Sequence, residues 1–179
     1  MKQIDAITKL NHWDRQGRYV FRKGDLAKVF GESGRKLDGT LNRLVKAKVL
    51  QRVAHGVYLY SLSSNIGPYT LEYIARNLRR GDYTFESLES ALSQYGVISQ
   101  IPIDRITLMT TGRSGEYQTP FGTIEFTSTK ADAESIVDNI VARDGHPLPI
   151  AKKHYAYKNL QSVGRNLDLV DKDELYDYA

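Results

Sequence analysis

Residues 34–46 read GRKLDGTLNRLVK, and residues 49–60 continue with VLQRVAHGVYLY. The apolar residues of the first stretch recur at helical spacing, which predicts a helix over residues 35–48. In the second stretch, His55-Gly56 predicts a tight turn between two short strands, because glycine adopts the positive φ that such a turn needs. A helix followed by a short hairpin is the arrangement of a winged helix-turn-helix, so double-stranded DNA is the first partner to expect.

The residues before this segment predict a matching set of shorter elements. A first helix ends near Gln16-Gly17, a brief strand covers residues 19–21, and a second helix covers residues 25–30. A turn follows at residues 32–34, where Ser33 is placed to cap the next helix. The order of helix, turn and helix that groove-reading domains use is therefore present.

Charge divides the chain into two parts. Residues 1–61 carry 13 Lys and Arg against 5 Asp and Glu, a net charge of +8, whereas residues 62–179 carry 12 against 16, a net charge of −4. The basic part suits a polyanion, and the acidic part indicates a different partner. A Ser/Asn/Gly/Pro-rich stretch separates them, which predicts a DNA-binding domain over 1–61 and a second domain over 66–179.

Eleven residues of the basic part are candidates for DNA contact. Early residues of a recognition helix contact base edges, which favours Arg35, Lys36 and Thr40 as readers. Arg43 and Lys46 suit phosphates. The complete set is Arg22, Lys23, Lys28, Arg35, Lys36, Thr40, Asn42, Arg43, Lys46, Arg52 and His55. The alternative is an ordinary solvated face on an amphipathic helix.

The second part predicts a mixed α/β domain with a small antiparallel sheet, which makes the chain α+β. Strands are expected at residues 105–111 and 121–127, joined as a hairpin through the turn at residues 112–115. The expected helices cover residues 70–78, 85–95, 133–141 and 148–160, and a short helix or frayed tail covers 171–178.

Several classes of chemistry lack their sequence signals. The chain has no cysteine, which excludes disulfides and thiol chemistry and fits a cytoplasmic protein. No apolar run approaches the roughly 20 residues of a membrane span. His146 and His154 lack partners at metal-ligand spacing, and the Gly112–Gly115 segment lacks the pattern of a phosphate-binding loop. We therefore expect no cofactor, no metal, no membrane contact and no enzymatic activity.

Several segments resemble the AbiEi family of antitoxins. The resemblance lies in FRKGDL (21–26), LNRLVK (41–46) and LQRVAHGVY (50–58), and continues with SLESAL (87–92), GVISQIP (96–102) and TTGR (110–113). It covers roughly residues 15–130. It implies a winged helix that represses its own operon by binding inverted repeats in the promoter. It also implies a second domain that helps to counter a nucleotidyltransferase-like toxin, in a type IV pair linked to abortive phage infection.

Two hypotheses follow. In the first, the chain is an autorepressor and antitoxin that need not form a stable complex with its toxin. Two copies on an inverted repeat would then lie about one helical turn, roughly 34 Å, apart. In the second, the chain is a transcriptional regulator of a mobile element, and its C-terminal domain binds a ligand or protein partner without any toxin. Residues 145–179 lie outside the resemblance and have no assigned role.

Overall fold

Contacts within the chain divide it into two compact units, Met1–Leu78 and Arg79–Ala179. The structure is a computed structural model that describes residues 1–99 and 103–178. Over these residues the fold is mixed α+β, with eight α-helices and two sheets, one of which is small and antiparallel. The α+β class expected from the sequence is thereby confirmed. The segment GVISQIP (96–102) extends partly beyond the described residues.

The first unit combines four helices with a three-stranded sheet. Its elements are α1 (Gln3–Asp14), β1 (Val20–Arg22), α2 (Lys23–Phe30), α3 (Gly34–Lys46), β2 (Leu50–Ala54), β3 (Val57–Tyr60) and α4 (Thr70–Leu78). The sheet order is β1-β3-β2, with both pairs antiparallel. Leu10, Phe21, Leu26, Leu41 and Leu59 are almost completely buried and form its interior. Because these apolar residues recur at the spacing of their elements, the sequence located each helix and strand to within a few residues.

The division between the units falls later than the linker-like stretch suggests. α4 belongs to the first unit, where the hydroxyls of Tyr19 and Thr70 lie 2.9 Å apart and the Tyr19 and Tyr73 ring centroids are separated by 5.3 Å. The linker itself is held to the end of α1, since the Asn65 amide donates to the backbone carbonyl of Asp14 at 2.7 Å. Composition marks the break in regular structure, whereas these long-range contacts decide which unit the next helix joins.

Two glycines, one before α3 and one within it, have different structural requirements. Gly31 ends α2 with φ of +64° and donates its N–H to the carbonyl of Ala27, a conformation that residues with a Cβ adopt only at a cost. Gly39 lies inside α3 without a positive φ, and a Cβ built there would meet only Nη1 of Arg43, at 3.5 Å. The fold therefore requires glycine at Gly31 and does not require it at Gly39.

Replacing each of these glycines by alanine should change stability in opposite directions. Gly39→Ala should raise the free energy of unfolding by about 0.5–1 kcal/mol, because glycine inside a helix is disfavoured relative to alanine. Gly31→Ala should lower it by about 1 kcal/mol, because the left-handed conformation is costly for alanine. Urea denaturation followed by circular dichroism measures both. Destabilisation by Gly39→Ala would show that the fold does need this glycine.

The second unit is built on a six-stranded mixed sheet. Its elements are β4 (Thr84–Glu86), α5 (Leu88–Gln94), β5 (Arg105–Thr110), β6 (Gly115–Thr119), β7 (Gly122–Ser128), α6 (Ala133–Asp138), β8 (Ile140–Val141), β9 (Ile150–Ala151), α7 (Lys153–Val163) and α8 (Lys172–Leu175). The strand order is β6-β7-β5-β4-β9-β8. β5 pairs with β7 and β4 pairs with β9 in parallel, and the remaining neighbours are antiparallel.

The prediction of a small antiparallel sheet is wrong for this unit, whose sheet has six strands and is mixed. The helix expected at 85–95 divides into β4 and α5, and those at 133–141 and 148–160 each include a two-residue strand. Residues 112–115 do not join a hairpin, because β5 pairs in parallel with β7 while β6 forms the hairpin with β7 through Pro120-Phe121. Strands of two or three residues are too short to show a periodicity, and parallel pairs join segments that are distant in sequence.

A charged group on α5 holds the turn after α7 in place. The Glu89 carboxylate accepts hydrogen bonds from Nε of Arg165 at 2.6 Å and from Nδ2 of Asn166 at 2.9 Å. Nη2 of Arg165 also lies 2.5 Å from the Glu125 carboxylate on β7. Burial raises the pKa of Glu89, but the donors from Arg165 and Asn166 outweigh it and hold that pKa below its usual value. The ionised form of Glu89 therefore stabilises the folded state.

Glu89→Gln should lower the free energy of unfolding at neutral pH by about 1–2 kcal/mol, the size expected for losing hydrogen bonds to a charged group. Because the pKa of Glu89 is lower in the folded than in the unfolded state, its ionised carboxylate stabilises the fold at neutral pH. That contribution is lost as pH falls below about 4.5. The variant should therefore lose less stability than the parent as pH falls through this range. Thermal melts at several pH values test this.

Glu116→Gln is the matched control. The Glu116 side chain is 48% exposed and pairs with Arg105 at 3.3 Å, an arrangement that contributes less than about 1 kcal/mol. Equal losses in the two variants would contradict the role assigned to Glu89.

Candidate nucleic-acid interface

α3 has one buried side and one exposed side, as its apolar spacing predicts. Leu37, Leu41 and Leu44 are 2–3% exposed and pack into the unit. The opposite side carries five residues that we call the outer strip of α3. They are Arg35, Asp38, Gly39, Asn42 and Lys46, and the four with side chains are all exposed. Because positions three, four and seven apart lie on the same side of a helix, this strip runs along its length.

The structure exposes ten of the eleven residues predicted to contact DNA. They are Arg22, Lys23, Lys28, Arg35, Lys36, Asn42, Arg43, Lys46, Arg52 and His55. Thr40 is the exception, because it is only 1% exposed. Its hydroxyl accepts a hydrogen bond from Nη2 of Arg43 at 3.1 Å, so it is committed to contacts inside the unit. A direct contact between Thr40 and a base is therefore not compatible with this structure.

Thr40 lies beside a buried carboxylate. Its hydroxyl helps to hold the pKa of Glu32 below the usual value, against the effect of burial and together with the Met1 ammonium at 3.0 Å and Lys36. Lys36 lies 3.8 Å from Glu32, and Arg43 also approaches the carbonyl of Met1 at 3.4 Å. Lys36 and Arg43 are thus drawn to the side of α3 that carries Thr40. They flank the outer strip and do not belong to it.

Lys23 links the hairpin to α3. Its backbone N–H donates to the carbonyl of Gly56 in the β2–β3 turn at 2.9 Å. Its ammonium lies 2.5 Å from Oδ1 of Asp38 on the outer strip, and this partner raises the pKa of Lys23. The beginning of α2, the hairpin turn and the middle of α3 therefore meet at one residue. The sequence analysis predicted Lys23 as a candidate DNA contact, but the spacing of the residues gave no indication of this link.

The tip of the hairpin presents two further cationic or titratable groups. Nη2 of Arg52 lies 3.1 Å from Nδ1 of His55, and both side chains are exposed. The β2–β3 register is irregular between Arg52 and Ala54, and such irregularities increase the local twist of a strand. Arg52 and His55 thus present exposed side chains at and next to the hairpin turn.

Residues 1–99 and 103–178 contain neither a membrane-spanning helix nor a metal-binding cluster. No helix in these ranges is long and apolar enough to cross a membrane. No group of three or more His, Asp and Glu side chains there is placed to hold a metal ion. The chemistry that this part of the chain presents at α3 is hydrogen bonding and positive charge.

The fold is similar to that of a solved bacterial protein. The RV2827C protein from Mycobacterium tuberculosis matches with a TM-score of 0.53 and 16% sequence identity, over 82% of this chain and 56% of the other. The chain thus spans little more than half the length of that protein. At this identity the match shows a common fold only.

Comparison by sequence places the chain in a family. No curated protein matches it. A family model described as a family of unknown function, DUF6088, matches residues 12–144, which include α2, α3, the β2–β3 hairpin and most strands of the second unit. Because this match covers well over half of the sequence, the chain belongs to the DUF6088 family.

Proposed function

We propose that the first unit is a winged helix-turn-helix that binds double-stranded DNA, with α3 in the major groove and the β2–β3 hairpin as the wing on the backbone or minor groove. The observation that carries the proposal is the outer strip of α3, an exposed row of polar side chains opposite a buried leucine face. Arg, Asn and Lys are side chains that bond base edges or phosphates. The row supports a surface for hydrogen-bonded readout better than it supports an apolar protein interface.

The dimensions and connections agree with this proposal. α3 has 13 residues and is therefore roughly 20 Å long, and the major groove, about 12 Å wide, admits a helix. Only three residues separate α2 from α3, and Gly31 is one of them. Short glycine-containing turns of this kind join the two helices of DNA-binding motifs.

Charge supports the same partner. The +8 balance of residues 1–61 would attract phosphates. Arg22, Lys28, Arg52 and His55 are exposed on the elements next to α3, where backbone contacts would fix the protein on the duplex. A repressor of its own promoter must act where that DNA lies, so the proposed location of the protein is the cytoplasm.

Loss of positive charge from α3 should strongly weaken this binding. In the triple variant Arg35→Ala/Lys36→Ala/Lys46→Ala, affinity for the DNA upstream of the chain's own gene should fall at least about 100-fold. Each contact to a base contributes roughly 1–3 kcal/mol, and each contact to a phosphate contributes roughly one unit to the slope of affinity against salt. Footprinting and anisotropy titrations from 50 to about 200 mM salt measure affinity and slope.

The matched control removes three exposed cations elsewhere, as Arg15→Ala/Lys130→Ala/Lys158→Ala. Both variants lose the same formal charge, so a general charge effect would weaken both equally. Retention of the footprint by the α3 variant would sink the assignment of α3. Absence of a footprint with the parent protein would sink repression of its own promoter.

We propose further that the chain is the antitoxin and autorepressor of a type IV toxin–antitoxin pair. The support is its resemblance to AbiEi antitoxins, together with a second unit that has its own core and a net negative charge. A nucleotidyltransferase-like toxin is the counterpart that this resemblance implies. The alternative is a mobile-element regulator whose second unit binds a ligand or protein partner.

Co-expression separates these two proposals. The gene adjacent to this chain should arrest growth when it is induced alone from a foreign promoter, and the full chain should restore growth. The α3 charge variant should restore growth equally well, because repression plays no part when the promoter is foreign. A harmless neighbour, or arrest that the chain does not relieve, would favour the regulator without a toxin.

A further inference from the structure

Asp38 is an acidic residue in the middle of the proposed DNA-binding surface. It follows Arg35 by three positions and precedes Asn42 by four, so it lies on the outer strip of α3. Its side chain is 50% exposed and takes no part in the core. A carboxylate that faces phosphates opposes DNA binding through like-charge repulsion. Its position therefore calls for a compensating contact.

The ion pair with Lys23 compensates the charge in the free protein. Nζ of Lys23 lies 2.5 Å from Oδ1 of Asp38, and the Lys23 side chain is 47% exposed. Pairs this exposed contribute little to folding, typically less than about 1 kcal/mol. Stability alone does not account for Asp38, whose paired carboxylate remains at the exposed surface of α3.

The neighbouring glycine makes a short acidic side chain useful at this position. Gly39 lies beside Asp38 on the outer strip and carries no side chain there, and the one neighbour that a Cβ would meet is Nη1 of the long Arg43 side chain, at 3.5 Å. The backbone of α3 can therefore come closer to the floor of a groove here than at its ends. An aspartate, whose carboxylate is only one carbon from Cα, needs such a close approach to reach a base.

We propose that Asp38 is a specificity-determining residue that accepts a hydrogen bond from the N4 amino group of a cytosine in the major groove. This proposal rests on the DNA-binding role of α3. Guanine and thymine present only hydrogen-bond acceptors at this edge, and adenine presents an acceptor beside its amino group, so a carboxylate favours cytosine over all three. Lys23 then turns from Asp38 to a nearby phosphate.

The experiment is a selection of duplexes from a randomised pool with the full-length protein, Asp38→Asn and Asp5→Asn. Asp5 is an exposed acidic residue on α1, so its variant has the same charge change away from α3. The parent and Asp5→Asn should enrich the same consensus, including one conserved G·C pair. Asp38→Asn should keep the rest of the consensus but lose at least about fivefold of its preference at that pair. Circular dichroism melts confirm that all three proteins are folded.

The possible outcomes distinguish failure of the Asp38 contact from failure of DNA binding by α3. An unchanged consensus with Asp38→Asn overturns the role of Asp38 and leaves DNA binding by α3 intact. An equal rise in affinity of both variants for all sequences assigns Asp38 to charge repulsion alone and also overturns the role. If the parent protein enriches no duplex, the DNA-binding function fails, and this proposal fails with it.

Discussion

The burial of three leucines fixes the rotation of α3 about its own axis. Leu37, Leu41 and Leu44 are each almost completely buried, and burying a leucine side chain stabilises a fold by about 1.5–3 kcal/mol. No exposed polar contact on α3 approaches their combined contribution. The leucines therefore decide which side chains of α3 reach solvent. The chemistry that α3 presents to a partner depends on that rotation.

The sequence predicted α3 and its leucine face correctly, but Thr40, one of the three expected base readers, is buried. Lys36, Thr40 and Arg43 also share a side, and spacing alone does not say how far the buried region extends around the helix. The structure places Thr40 inside that region, where it contacts Arg43 and Glu32. Threonine is compatible with either environment, so only its contact with the Glu32 carboxylate, which helical spacing does not reveal, decides its place.

Elements that pair with their neighbours in sequence were predicted more closely than elements that pair with distant segments. The elements of residues 1–60 were predicted closely, because adjacent strands pair through a short turn and helices show their own periodicity. In the second unit, Glu86 pairs with Ile150 in parallel, and β5 pairs directly with β7 although β6 lies between them in sequence. Such pairs leave no local pattern. Leu88 begins α5 with a positive φ of 59°, which a leucine would not be expected to adopt.

The two units use charged side chains differently. In the second unit, Arg165 and Arg105 are paired with the carboxylates of Glu89, Glu116 and Glu125, so these charges hold structural elements together. In the first unit, most of the cations around α3 face solvent. The first arrangement stabilises a fold, whereas the second leaves positive charge available to a partner.

The contacts of Lys23 also bear on how tightly α3 and the hairpin could bind a common partner. Its backbone bond to Gly56 and its ion pair with Asp38 connect the hairpin turn to α3 through the first residue of α2. Two elements that contact one ligand bind better when their relative position is fixed beforehand, because less conformational entropy is lost on association. The ion pair is exposed and exchangeable, whereas the backbone bond does not depend on the side chain. The Lys23 ammonium can therefore exchange the Asp38 carboxylate for a phosphate while the backbone bond keeps the hairpin beside α3.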